Sequence, residues 1–81
     1  MDKDYLLFHL EEAQEELVKI THEITNNSQY DEAELLIAFQ HLYHHINTAW
    51  NARNASFSEI ESNECFNQWQ EFPKDISFLK I

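Results

Sequence analysis

The sequence predicts an all-α protein, built as an antiparallel helical hairpin with a shorter third helix packed across it, which makes a small three-helix bundle. Glycine is absent and there is a single proline, so tight turns of the glycine type are not available. Apolar residues recur at alternating spacings of three and four over two long stretches. Polar segments that favour helix ends separate these stretches.

The first helix is predicted at about residues 4–25. Its apolar row follows a heptad spacing and consists of Leu6, Leu10, Ala13, Leu17, Ile20 and Ile24. The polar segment at residues 26–29 then indicates the end of the helix, because asparagine and serine side chains compete with helical backbone hydrogen bonds.

The second helix is predicted at about residues 31–53, and Asp31 with Glu34 supplies a capping signal at its start. We expect Leu10, Leu17 and Ile20 of the first helix to face a row of the second. That row consists of Leu35, Phe39, Leu42 and Ile46. A further row repeats every seven residues alongside it and consists of Leu36, Tyr43 and Trp50. One partner helix covers a single row, so the further row needs another cover.

The third helix is predicted at about residues 57–71, started by Ser56 with Glu59 or by Ser58 with Glu61 and ended by Pro73. The apolar tail at residues 74–81 is expected to dock, either as an extended segment or as a short final helix. With 81 residues, the chain is expected to form a single domain, residues 1–81.

Acidic residues dominate the charge, with 15 of them against five basic residues and a formal net charge of −10. Such a charge repels nucleic acid and anionic membranes and favours a basic protein partner. The carboxylates of Glu11, Glu12, Glu15 and Glu16 are either a solvated face or a docking surface for that partner. The single cysteine, Cys65, and the absence of a secretion signal at the start predict a cytoplasmic protein.

Two histidines of the second predicted helix are candidate metal ligands. His41 and His45 are spaced to bind one ion, and Glu16 of the neighbouring helix could complete the set. We interpret them instead as a surface cluster and expect no metal and no cofactor, since two ligands do not make a site. His9 and His22 are interpreted as surface or flanking residues.

The aromatic side chains exceed what a two-helix seam hides, and Tyr43, Trp50 and Trp69 are expected to form an interaction surface and a homodimer contact. The favoured function is a non-enzymatic interaction or regulatory protein that binds a basic or apolar protein surface. The alternatives are an anionic inhibitor of a nuclease or nucleic-acid-binding protein, such as an immunity protein, antitoxin or DNA mimic, and a small metal-binding bundle. Enzymatic activity is not expected.

Overall fold

The computed structural model describes residues 1–78, and all regular structure in this range is helical. The helices are α1 at Lys3–Asn26, α2 at Glu32–Asn51, α3 at Phe57–Ile60 and α4 at Asn63–Trp69. The all-α prediction is therefore confirmed. Residues 79–81 of the predicted docked tail lie outside the described residues.

Both long helices begin at an aspartate whose carboxylate accepts a hydrogen bond from a backbone N–H that the first turn leaves free. Asp2 accepts from the N–H of Tyr5 at 3.1 Å. Asp31 accepts from the N–H of Glu34 at 2.9 Å, as the capping signal predicts. These caps fix where α1 and α2 start.

The prediction of one third helix at residues 57–71 is wrong, because the structure has two short helices, α3 and α4, in this range. Ser56 and Glu59 form a reciprocal capping box at the start of α3. Ser62 then accepts a hydrogen bond from the N–H of Cys65 at 3.3 Å and caps α4. A serine at this position offers the backbone an alternative to the continuous helical ladder, so a second helix starts there.

α1 and α2 pack side by side as an antiparallel hairpin. The N–H of Asp2 donates to the carbonyl of Arg53 at 2.9 Å, which ties the start of α1 to the end of α2. The core between the helices consists of Ala13, Ile20 and Leu42, with Leu35 and Ala38 packed against it. Alanines in this seam let the two helices approach closely.

The expected pairing of apolar rows is only partly right. Ile20 and Leu42 are buried and Leu35 packs against them. Four other residues of the expected seam remain about half exposed, namely Leu10, Leu17, Phe39 and Ile46. On α1, the hairpin closes along Ala13 and Ile20 of the predicted row, with His9 as a further buried residue. The other large side chains of both predicted rows, such as Leu17 and Phe39, are thereby left outside the seam.

α4 packs across one side of the hairpin. Two asparagine side chains of α2 donate hydrogen bonds to the backbone carbonyls at the C-terminal end of α4. The Asn51 amide donates to the carbonyls of Trp69 and Glu71 at 2.9 and 2.8 Å. The Asn47 amide donates to the carbonyl of Gln70 at 2.9 Å. These bonds hold α4 against α2 where helical carbonyls lack partners. Throughout residues 1–78, no helix has both the length and the apolar character needed to cross a membrane.

Candidate interaction surfaces

One side of the hairpin carries a groove that we call the acidic groove, defined by Glu16, Glu23, Glu34, Tyr30 and His41. It has a volume of about 340 Å³ and lies between α1 and α2, near the loop that joins them. Its apolar lining includes side chains from both helices, namely Ile20, Ile37 and Ala38. The groove therefore combines carboxylates with an apolar floor.

The electrostatics of the acidic groove are set by its carboxylates. Desolvation, followed by the charges of Glu34, Glu23 and other nearby carboxylates, raises the pKa of Tyr30. Lys19 is the one basic side chain of Lys or Arg type in the lining. A groove of this kind is complementary to a cation with an apolar stem, such as a lysine or arginine side chain.

The opposite side of the hairpin is an apolar surface that we call the open face. The acidic groove marks one flank of the seam, with Glu16 on α1 and His41 on α2. Helical periodicity puts the bulky rows on the other flank of each helix, so the two rows lie side by side. The open face consists of Leu10, Leu17, Ile24, Phe39, Tyr43, Ile46 and Trp50, all of them exposed.

No charged residue belongs to the open face. The positions that lie between its members along the same side of α1, Gln14 and Thr21, are uncharged as well. One edge is held by the segment after α4, where the Trp50 indole N–H donates to the Asp75 carboxylate at 2.9 Å. Arg53 lies 3.8 Å from the centre of the Trp50 ring. Thus the middle of the open face is uncovered, whereas Trp50 at its edge is held by contacts with Arg53 and Asp75.

A third feature is a cluster of imidazoles between the helices, which we call the histidine cluster and define as His9, His44 and His45. The Nδ1 atoms of His9 and His45 lie 3.0 Å apart, so the N–H of one ring donates a hydrogen bond to the unprotonated Nδ1 of the other. The rings of His44 and His45 have centroids 4.7 Å apart. His9 is 3% exposed, and its buried Nε2 has no hydrogen-bond partner.

Two members of the cluster, His9 and His44, favour the neutral imidazole form. Burial, and then the neighbouring rings of His45 and His44, lower the pKa of His9 to about 4. Burial, followed by His45 and His41, also lowers the pKa of His44. The His44 ring packs edge-to-face against the ring of Phe66 on α4, with ring centroids 5.2 Å apart. The hydrogen bond between His9 and His45 requires that at least one Nδ1 is unprotonated.

The structure separates the three residues weighed as metal ligands. Glu16 and His41 line the acidic groove, whereas His45 is paired with His9 in the histidine cluster. Within the described range 1–78, no group of three or more histidine, cysteine or carboxylate side chains is arranged to hold a metal ion. The interpretation of His9 as a surface or flanking residue is wrong, because its ring is buried between α1 and α2.

The four glutamates of the expected acidic surface lie on two successive turns of α1 and differ in their surroundings. Glu16 lines the acidic groove, and Glu12 is partly buried. Glu11 and Glu15 are exposed beside Lys19. The expected aromatic surface also divides, since Tyr43 and Trp50 belong to the open face.

Trp69 lies elsewhere, on α4, with its ring centroid 6.3 Å from that of Tyr5. It is partly buried and contacts α1 through this aromatic pair. The sequence pattern missed the histidine cluster, although His9, Ala13 and Ile20 follow the spacing of four and seven that marks a seam. Comparison with protein-family models, curated proteins and solved structures finds no match for this chain.

Proposed function

We propose that this protein is a small non-enzymatic interaction or regulatory protein that binds an apolar helical surface of a protein through its open face. The observation that carries the proposal is the uncovered apolar side of the hairpin, where Leu17 is 50% exposed and Ile46 is 43% exposed. We further propose that it acts in the cytoplasm, since its single cysteine needs no oxidising compartment.

The arrangement of the open face supports helix-to-helix recognition. Its rows repeat every seven residues on both α1 and α2, which is the spacing that packs one helix against another. Large contiguous apolar surfaces on soluble proteins mark interaction sites, and aromatic side chains such as Trp50 supply much of the binding energy at protein interfaces. A partner with an apolar helical row is the chemistry that fits this face.

A second candidate is a basic partner that inserts a lysine or arginine side chain into the acidic groove. The observation that favours it is the placement of Glu16, Glu23 and Glu34 around an apolar floor. The net charge of −10 would attract such a partner over a long range. Inhibition of a basic nucleic-acid-binding protein belongs to this candidate.

Site-specific photo-cross-linking in native host extract tests the proposal. A photoreactive phenylalanine analogue replaces Ile46 on the open face or, in the matched control, Ile37 in the acidic groove. Both positions lie on α2, and both side chains are exposed. We expect a heavier covalent adduct from position 46 and much less from position 37.

The two candidates give different results in this experiment. An adduct at position 37 that disappears at moderate salt would favour the basic partner, because exposed charge interactions are screened by salt. An adduct at position 46 that persists at moderate salt supports the apolar partner. If neither an unrelated protein nor a second copy is cross-linked at position 46, the proposed function is wrong.

A further inference from the structure

We infer that the occupant of the open face is a second copy of this chain, so that two hairpins pack face to face as a four-helix bundle. This inference rests on the proposed function, because it names the partner of the same surface. A two-fold pairing closes on itself and brings the same surface of both copies together. Each hairpin supplies two antiparallel helices, as the halves of such bundles do.

The accessible surface of the chain is larger than a folded monomer of its mass should expose. It measures 6494 Å², and the mass is 9.7 kDa. Folded monomeric proteins of that mass expose about 5,100 Å². The excess of about 1,400 Å² is more than the ~800 Å² that each partner contributes to a standard interface. The excess surface of the chain as a whole is therefore large enough to include the contact of a stable dimer.

The shape of the chain leads to the same conclusion. Its radius of gyration is 14.6 Å, with extents of 44 × 33 × 21 Å. A compact domain of this length has a radius of gyration of about 12 Å. The chain is thus more extended than a compact monomer, and α4 packs on one side of the hairpin while the open face lies on the other.

The distribution of residue types favours a copy of the same chain over a basic partner at this face. The seam within the hairpin buries Ala13, Ile20 and Leu42, while other large apolar side chains, such as Leu17 and Phe39, remain exposed outside it. Arg53 and Asp75 contact Trp50 at one edge of the open face, and no member of the face is itself charged, so two copies can meet over its middle with their carboxylates directed outward. The heptad rows of one copy provide the partner rows for the other.

The test is sedimentation equilibrium of the purified, untagged chain at tens of micromolar protein and moderate ionic strength, comparing the wild type with Ile46→Glu and Ile37→Glu. The two variants introduce the same charge on the same helix at exposed isoleucines on opposite sides. We expect twice the chain mass for the wild type and for Ile37→Glu. For Ile46→Glu we expect at least a tenfold rise in the dissociation constant.

Circular dichroism checks that each variant remains helical. If Ile46→Glu unfolds, Leu17→Ala replaces it, because alanine keeps the helix and only removes apolar contact. A monomer mass for the wild type, or equal dissociation in both glutamate variants, overturns the dimer. A monomeric wild type that still cross-links another protein at position 46 refutes the second copy alone, whereas no cross-link of any kind at position 46 refutes the proposed function as well.

Discussion

Single side chains show where burial and chemistry conflict in this fold. His9 occupies a position that an aliphatic residue would fill more easily, since its Nε2 is buried without a partner. Its Nδ1 is satisfied only by His45, which comes from the other helix. A buried polar group of this kind is costly unless it is paired, and the cost rises sharply if the imidazole takes up a proton.

We predict that this residue makes stability depend on pH in the mildly acidic range. The pKa of His9 is about 4 in the fold against an ordinary value of 6.5. The unfolded chain therefore binds a proton below pH 6.5 that the folded chain does not accept until about pH 4. The part of the unfolding free energy that depends on a neutral His9 is fully present above pH 6.5. It is lost as the pH falls from 6.5 towards 4, by up to about 1.4 kcal/mol per pH unit.

Chemical denaturation between pH 4 and 7 measures this effect. In His9→Leu, the dependence of the unfolding free energy on pH should become shallower, although the lowered pKa of His44 leaves a smaller dependence of the same sign. His22→Leu is the matched control, because His22 is exposed on the same helix. The same pH slope in the wild type and in His9→Leu would show that the burial of His9 does not control it.

At the scale of the helices, the sequence predicts the elements better than their contacts. Periodicity and caps suffice for α1 and α2, because both signals are local. The choice of which row faces the partner helix is not local. Leu10, Leu17 and Ile24 belong to the predicted apolar row of α1 as Ala13 and Ile20 do, yet the seam buries Ala13 and Ile20 of this row together with His9. A large apolar row can pack within the chain or outside it, and hydrophobicity alone does not distinguish the two.

The break between α3 and α4 was missed for a related reason. Ser56 with Glu59 gives a complete capping box that can be read from the sequence. Ser62 caps α4 with its hydroxyl alone, and no glutamate follows at the reciprocal position. A single serine is an ambiguous signal, since it occurs inside helices as well as at their starts.

We predict that the helix seam is held by its few buried residues. Ile20→Ala should lower the unfolding free energy by ~2–5 kcal/mol, because Ile20 is 6% exposed and its removal leaves a cavity. Ile37→Ala is the matched control, because Ile37 is 57% exposed. The control should change the unfolding free energy by no more than about 0.5 kcal/mol. Equal losses in urea denaturation would show that Ile20 does not belong to the core.

At the scale of the whole molecule, charge and apolar surface are segregated. The acidic groove and α4 occupy one side of the hairpin, and the open face occupies the other. Composition predicts the amounts of both, but their separation depends on how α1 is rotated against α2. That rotation follows from the close approach at Ala13 and Ala38, which no single stretch of sequence specifies.

This segregation predicts an unusual salt response for the proposed dimer. Two copies bring together a formal charge of −10 each, so their carboxylates repel one another although none lies in the open face. Raising the ionic strength from about 0.01 M to about 0.15 M shortens the Debye length from ~30 Å to ~8 Å and screens this repulsion. The association constant should then rise, by more than about tenfold.

Sedimentation equilibrium over that salt range provides the measurement. The double variant Glu11→Gln, Glu15→Gln removes two exposed carboxylates outside the open face. It should associate more tightly than the wild type at low salt and show a weaker dependence on salt, because less repulsion remains to be screened. Association that weakens as salt is added would mean that ion pairs hold the copies together. In that case the contact would have to involve charged groups outside the middle of the open face, since no member of this face is itself charged.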